Sequence, residues 1–356
     1  MGTASGRCLA TVLIAAAGMI IAGCSGGSPP VSPSSTTGHE AATGGASARP
    51  VSSPAPGSPA QPVAPLTGLP AASAQAALTP AVAVPVTGPD PQGLSSADVV
   101  YEEITSPIRY IAVFQSHEVP AVGPVTGTRP ADGPALSVLH PIYSYYGGTA
   151  PFIKVLDQTH VVDVGYASHP SLYHFGAAGL TVSTSQVELA ARATAPPPLF
   201  TYQGTKVGDA PGFASTGTWR VSALEITAPG LGTQKWTFDA RTGRWDDVSG
   251  GPPLEVANLV VQNVPYKNVN LSTRYGLTVP SARVVGRGSA LMLSATGQIG
   301  STRSGVAVEG SWDKPGIQKI TDYVDSRGVL VGFQPGPTWI IFAPPGTQIT
   351  TTPAAP

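Results

Sequence analysis

Two adjacent glutamates and one arginine in a predicted β-hairpin are the residues of this sequence best suited to chemistry. The segment "DVVYEEITSPIRYIAVFQS" (98–116) carries Glu102 and Glu103 in its first apolar run and Arg109 at the start of its second. Because side chains alternate in an extended strand, the glutamates point to opposite faces, and one of them shares a face with apolar neighbours. That carboxylate can pair with Arg109 across the hairpin through two parallel hydrogen bonds.

Two interpretations of this group follow from the residues alone. Together with Asp98 and with Arg129 of "VGPVTGTRPAD" (122–132), the pair could bind a polar or anionic ligand. Alternatively, it is a structural ion pair, which is common in folded proteins. We expect the structural pair, in which Arg109 holds whichever glutamate is buried and Arg129 approaches from its loop. We assign no catalytic residue, so enzymatic activity stays open, although a non-enzymatic protein is favoured.

Other motifs do not indicate a catalytic, metal or cofactor site. No recognised metal-ligand spacing connects the histidines, no HExxH motif or cysteine cluster is present, and no phosphate-binding glycine loop occurs. The segment "SWDK" (311–314) fits the Ser-x-x-Lys pattern of penicillin-binding enzymes, but its flanks are strand-like and the companion motifs are missing. The sequence therefore predicts neither a metal nor a cofactor, with histidines 117, 140, 160, 169 and 174 in loops or at the surface.

The first 24 residues indicate export and attachment to a membrane by lipid. Arg7 precedes an apolar run of 16 residues, Cys8 to Gly23, which is shorter than the roughly 20 residues of a membrane span and typical of a signal peptide. The run ends in "IAGC" (21–24), which resembles the lipobox of bacterial lipoproteins and predicts cleavage after residue 23 and acylation of Cys24. The alternative is a signal anchor that stays in the membrane.

Composition supports this localisation and limits the partners. Residues 24–65 are predicted to be the lipidated cysteine and a disordered tether, because nine of the 41 residues from 25 to 65 are proline and such a segment cannot bury enough apolar surface to offset its ordering entropy. The chain has a net charge of −1 and no long basic run, which argues against nucleic acid as a partner. We expect the folded part to lie outside the bacterial cytoplasmic membrane.

The remaining chain is predicted to have an α+β fold in two modules. The first, residues 66–205, is mixed α/β, with strands at "AVAVPV", "DVVYEEI" and "YIAVFQS". Helices are expected to begin near Asp132 and Thr149, and a capping box of Ser185 and Glu188 is expected to open a third.

The second module, residues 206–356, is predicted to be smaller, antiparallel and rich in β-structure. All five tryptophans lie in it, and short apolar runs such as "KWTFD", "NLVVQNV", "VAVEGSW", "VLVGF" and "TWIIFA" alternate with turn signals.

The order of several motifs resembles the YerB-like family of bacterial lipoproteins. In the first module these are "PLTGLP", "PQGLSSADVVYEE", "IAVFQS", "VGPVTGTRPAD", "VSTSQV" and "PPPLF"; in the second they are "KWTFDARTGRW", "NLVVQNV", "GSWDK" and "QPGPTWIIFAP". The resemblance spans nearly all of the chain after the tether and implies two modules of unknown function in an envelope protein. Relative to the family pattern, "PVTGTR" keeps Arg129 but lacks a preceding arginine, the hairpin turn at 104–107 is shorter, and 177–179 lack a "PHN"-like motif.

These observations predict a membrane-anchored envelope lipoprotein without an assigned reaction. Its expected role is that of a non-enzymatic binding or accessory protein for peptidoglycan, another envelope glycan or an envelope protein. The alternative is an enzyme or degenerate enzyme that acts on an envelope substrate through the acid and arginine cluster of the first module.

Overall fold

A computed structural model describes residues 61–177, 179–203, 217–250, 253–272, 277–296 and 303–354. The predicted signal peptide, Cys24 and the tether up to residue 60 lie outside these residues. The described residues belong to one compact unit, Ser58–Pro356. Packed structure begins before the expected start at residue 66, because Ala64 is buried and its backbone N–H donates to the carbonyl of Leu69 at 2.8 Å.

The described residues are mostly β-structure, with short helices confined to the first module. The helices are α1 (Ala74–Ala77), α2 (Asp132–Leu136), α3 (Ala150–Leu156) and α4 (Thr184–Ala190), with 3-10 turns at Leu94–Ser96, Ser137–Leu139 and Pro170–Leu172. The strands are β1 (Val82–Thr87), β2 (Val99–Glu103), β3 (Arg109–Phe114), β4 (Ile142–Tyr143), β5 (Val162–Asp163), β6 (Tyr173–Gly176), β7 (Gly179–Val182), β8 (Thr218–Ala228), β9 (Gly232–Asp239), β10 (Arg244–Asp247), β11 (Glu255–Val256), β12 (Asn258–Asn263), β13 (Tyr266–Ser272), β14 (Leu277–Ala282), β15 (Gly286–Thr296), β16 (Ser304–Lys314), β17 (Asp322–Asp325), β18 (Thr338–Ala343) and β19 (Gln348–Pro353).

One large mixed sheet includes strands from both predicted modules. Its order is β11-β10-β9-β8-β16-β15-β12-β18-β2-β3-β1-β4-β5, with β17 paired to β16 and β19 paired to β8. The strands β18 and β2 are parallel neighbours, and their register places Thr338 opposite Val99 and Phe342 opposite Glu103. The C-terminal strand β18 is also parallel to β12, so this part of the sheet is not purely antiparallel.

Strand β2 lies in the middle of this sheet and is buried on both faces. Val100 packs in one apolar layer with Trp339 and Ile341, whereas Tyr101 packs in the opposite layer with Ile340. A strand that is covered on both sides has no solvent face to which a charged side chain can turn. Consequently both glutamates of β2 are buried, whereas the sequence pattern led us to expect only one on an apolar face.

Two local predictions were wrong. The helix α4 begins at Thr184 with Ser183 as its N-cap, and Ser183 Oγ lies 3.0 Å from Ser185 Oγ, so Ser185 and Glu188 do not form the expected capping box. The segment "VLVGF" (329–333) forms isolated bridges, Leu330 to Val324 and Phe333 to Tyr202, rather than a strand of the sheet. Among the described residues, no helix has the length and apolar character needed to cross a membrane.

Candidate functional site

The arginine of the hairpin is held by Asp132, which the sequence analysis named only as the expected start of a helix. Arg109 on β3 donates from Nη1 to Asp132 Oδ1 at 2.7 Å and from Nη2 to Asp132 Oδ2 at 2.6 Å. Its Nη2 also donates to the carbonyl oxygen of Gly127 at 2.9 Å. Both side chains are buried, and the fork of the guanidinium matches the two carboxylate oxygens. Asp132, rather than a glutamate, is therefore the main partner of Arg109.

Asp132 is the centre of a hydrogen-bond network at the start of α2. Its Oδ2 accepts from the Tyr143 hydroxyl at 2.5 Å, from the backbone N–H of Arg129 at 2.8 Å and from Thr128 Oγ1 at 3.3 Å. These donors and the planar guanidinium of Arg109 together hold the carboxylate of Asp132 in one orientation. Burial by itself would lower the pKa of Arg109, but the charges of Asp132 and Glu103 and the hydrogen bonds outweigh it, so the pKa is raised and Arg109 stays protonated.

Glu103 lies beside this pair and is the glutamate that approaches both arginines. Its Oε2 is 3.8 Å from Arg109 Nη1 and 3.5 Å from Arg129 Nη1. Its Oε1 accepts from the backbone N–H of Ala282 at 2.8 Å, whereas Oε2 is buried without a hydrogen-bond partner. Burial raises the pKa of Glu103, although the charge of Arg109 opposes this effect.

The cluster joins the two modules. Ala282, which donates to Glu103, belongs to the β13–β14 hairpin of the second module. From the same hairpin, the Tyr266 hydroxyl accepts from the backbone N–H of Ile104 at 3.0 Å and donates to the Phe342 carbonyl at 2.7 Å. The polar end of β2 is thus bonded to residues that follow it in the chain by more than 150 positions.

Arg129 is the part of the cluster that faces solvent. Its side chain is 19% exposed, and its Nη1 lies 3.4 Å from Thr105 Oγ1 in addition to its contact with Glu103. Burial lowers the pKa of Arg129, and the neighbouring Arg109 charge lowers it further. The cluster pairs two acidic side chains, Glu103 and Asp132, with two arginines, so neither sign is in excess to attract an ionic ligand.

Asp98 and Glu102 do not belong to this cluster. Glu102 points to the opposite face of β2, where its Oε2 accepts from Trp339 Nε1 at 2.7 Å and its Oε1 accepts from Gln234 Nε2. Burial raises the pKa of Glu102 to about 7 despite these two donors. Asp98 Oδ2 accepts from the backbone N–H groups of Gln115 at 2.5 Å and Ser116 at 2.7 Å.

The Ser-x-x-Lys segment does not form a nucleophile and base. Ser311 and Lys314 both lie in strand β16, where residues three apart point to opposite faces. Lys314 is buried, its Nζ donates to the carbonyl of Lys319, and burial lowers the pKa of Lys314 to about 8. Within the described ranges, no group of three or more His, Cys, Asp or Glu side chains is arranged to hold a metal ion.

The fold and the cluster define a two-module, mostly β protein whose modules share one sheet and a buried acid–arginine junction. Residues 66–176 match the family model "Protein of unknown function (DUF3048) N-terminal domain", and residues 224–340 match "Protein of unknown function (DUF3048) C-terminal domain". The chain belongs to this DUF3048, YerB-like family, as the motif order implied. All of the candidate residues from Asp98 to Arg129 lie within the first match.

The fold has a counterpart among solved structures. The crystal structure of the YerB protein from Bacillus subtilis is similar to this chain with a TM-score of 0.63 at 19% sequence identity, over 81% of this chain and 99% of that chain. At this identity the similarity concerns the fold. No curated protein matches the chain.

Proposed function

We propose that this chain is an envelope lipoprotein, anchored through Cys24, whose folded part binds an envelope component without catalysing a reaction. The family assignment supports a protein of unknown biochemical activity and adds no reaction. The observation that carries the non-enzymatic role is the state of Arg109, which is 1% exposed and whose terminal nitrogens, Nη1 and Nη2, both donate to Asp132, with a further bond from Nη2 to the Gly127 carbonyl. The most buried charges of the cluster thus bind each other within the first module and leave little for a substrate.

The proposed partner is a cell-wall component, either peptidoglycan or another envelope glycan, with an envelope protein as the second possibility. A proline-rich tether after Cys24 would carry the folded part away from the bilayer surface. The low charge of the chain favours a partner that is recognised by shape and hydrogen bonds over a polyanion.

One observation favours the alternative of an enzyme acting on an envelope substrate. Glu103 Oε2 is buried without a hydrogen-bond partner, and the guanidinium of Arg129 beside it is partly exposed. A carboxylate in that condition has a raised pKa and could transfer a proton to a substrate bound at Arg129.

Isolated cell-wall sacculi provide the experiment that separates these roles. We expect the protein to co-sediment with sacculi and to release no soluble wall fragments. The Arg129→Gln variant tests the alternative. Arg287→Gln is a matched control, because Arg287 is also an arginine near a carboxylate, but its side chain is 84% exposed and its Nη2 lies as far as 4.0 Å from Asp313 Oδ2. Release of wall fragments that Arg129→Gln abolishes would establish the enzyme. Absence of co-sedimentation would exclude the wall and leave an envelope protein as the partner.

The lipid anchor is tested separately by metabolic labelling with a fatty-acid analogue. Cys24→Ala is expected to accumulate uncleaved and unlabelled, because acylation requires the thiol. Cys8→Ala is the matched control, since Cys8 lies in the predicted signal peptide and the variant should be labelled like the wild type. Equal labelling of the Cys24→Ala variant would refute the anchor.

A further inference from the structure

A cavity of about 430 Å³ lies away from the acid–arginine cluster. Its walls come from the segment 64–80, from the ends of β1 and β3, and from α4. Its lining includes the apolar residues Leu69, Val82 and Phe114 and the polar residues Gln115, Glu118 and Glu188. A volume of this size lies within the range of roughly 300–1,000 Å³ of small-molecule sites.

The lining of the cavity includes two carboxylates, those of Glu118 and Glu188. Among the residues that the structure describes, neither Glu118 nor Glu188 forms a salt bridge or a side-chain hydrogen bond. Partial burial and the nearby charge of Glu118 raise the pKa of Glu188, so the two carboxylates are close enough to repel. His117 is the basic residue in the wall. A positive charge placed between the carboxylates would relieve their repulsion.

Gln115 supplies a second, independent observation. Its side chain is only 8% exposed, and its Nε2 donates to the carbonyls of Thr79 at 3.0 Å and Ala77 at 3.5 Å. The opposite amide orientation would turn Oε1 towards two carbonyl oxygens, so the assignment is fixed by its surroundings. The Oε1 atom is then a buried acceptor without a donor. Because Gln115 lines the cavity, a ligand that brings an N–H group could satisfy this acceptor.

Asp98 holds this part of the wall in place. Its carboxylate accepts the backbone N–H groups of Gln115 and Ser116, which fixes the chain at the end of β3 from behind. Asp98 therefore acts as a positioning residue for the cavity. This role differs from the one expected from the sequence, in which Asp98 joined the arginines.

We propose that the cavity binds a small molecule with a primary ammonium group and an apolar body. The ammonium group lies between Glu118 and Glu188, a further N–H of the ligand donates to Gln115 Oε1, and the apolar body packs against Phe114 and Leu69. The site is independent of the proposed attachment to the cell wall, because it rests only on the residues of the cavity.

Three probes with the same body and different head groups test the proposal on the full-length chain in detergent micelles. Titration calorimetry at pH 7.5 compares 3-phenylpropan-1-amine, 3-phenylpropan-1-ol and 3-phenylpropanoate. We expect the amine to bind at least tenfold more tightly than the alcohol or the carboxylate. The double variant Glu118→Gln/Glu188→Gln is expected to lose this preference while keeping its melting temperature, since Glu118 is exposed and Glu188 is only partly buried.

The matched control is Glu225→Gln/Glu309→Gln, which removes one partly buried and one exposed carboxylate elsewhere on the fold, as in the test variant, and should bind the amine like the wild type. Equal binding of the three probes would show an apolar cavity without cation recognition and would overturn the proposal. Undiminished amine binding by the Glu118→Gln/Glu188→Gln variant, or no binding of the amine to the wild type, would also overturn it.

Discussion

Replacing Arg109 by alanine is expected to destabilise the folded part by about 3–5 kcal/mol, because it leaves a buried carboxylate without its guanidinium partner. The two Arg109–Asp132 hydrogen bonds measure 2.7 and 2.6 Å, and the carboxylate of Asp132 is completely buried. The remaining donors to Asp132 are the Tyr143 hydroxyl, Thr128 Oγ1 and a backbone N–H, none of which carries a formal charge. Glu103 would keep Arg129 and the Ala282 N–H as partners.

A double-mutant cycle isolates the pair from the rest of the network. Asp132→Asn alone removes the opposite charge, whereas Arg109→Ala combined with Asp132→Asn removes both charges together. We expect the double variant to be more stable than the sum of the two single losses predicts, by about 1–3 kcal/mol. This coupling free energy measures the ion pair itself, since the cavity left by the shorter side chain is the same in Arg109→Ala and in the double variant.

Urea unfolding followed by tryptophan fluorescence measures these free energies of unfolding. Arg241→Ala is a matched control, because Arg241 also makes two hydrogen bonds to one aspartate, Asp239, but its side chain is 89% exposed. The control should leave stability nearly unchanged, since exposed ion pairs contribute little. If Arg109→Ala also unfolds like the wild type but no longer co-sediments with sacculi, the pair is a ligand site and the structural argument fails.

Three further predictions concern stability. The unfolded chain releases the proton of Glu102 near pH 4.5 and the folded chain near pH 7, so the stability of the wild type falls as pH rises through that window. Urea unfolding at pH 8 should therefore find Glu102→Gln more stable than the wild type by up to about 3 kcal/mol. The pKa of Lys314 is lowered from 10.5 to about 8, so wild-type stability should rise between pH 8 and 10.5. At pH 7 the free energy of unfolding of Lys314→Met should exceed that of the wild type by about 2–3 kcal/mol. Thermal melts at pH 10.5 should show no such difference. A chain that starts at Gln61 should melt like one that starts at Ser25. A start at Leu66 should lower the melting temperature by several degrees, because it removes Ala64, whose backbone hydrogen-bonds to Gly68 and Leu69.

The strands β1, β2 and β3 could be predicted because their composition is strongly biased towards strand-forming residues. β-branched and aromatic residues fill "AVAVPV", "DVVYEEI" and "YIAVFQS", and β1, β2 and β3 lie there. The pairing of β2 with β18 could not be predicted in this way, since periodicity within a segment says nothing about which distant strand lies beside it. The second covered face of β2 follows from that pairing. The local sequence pattern therefore could not predict that both Glu102 and Glu103 are buried.

For the site, too, the sequence predicts contacts within one segment but not contacts between distant segments. The proximity of Glu103 and Arg109 is a local property, because the two residues are opposite each other in the hairpin register. Asp132 follows Arg109 by 23 residues, and its position at the start of α2 explained its residue type without any reference to the arginine. An acidic residue three positions after Arg129 was the only signal in the sequence, and it does not distinguish a helix start from an ion-pair partner.

The parallel pairing of β2 with β18 has a consequence for the time at which the protein becomes folded. The paired residues are more than 200 positions apart, so β2 has no neighbour on that side until β18 has been synthesised. Until then its open edge and its two carboxylates are accessible to proteases and to other chains. Contacts this distant in sequence also slow folding. We therefore expect the N-terminal half to stay unfolded until β18 has been synthesised.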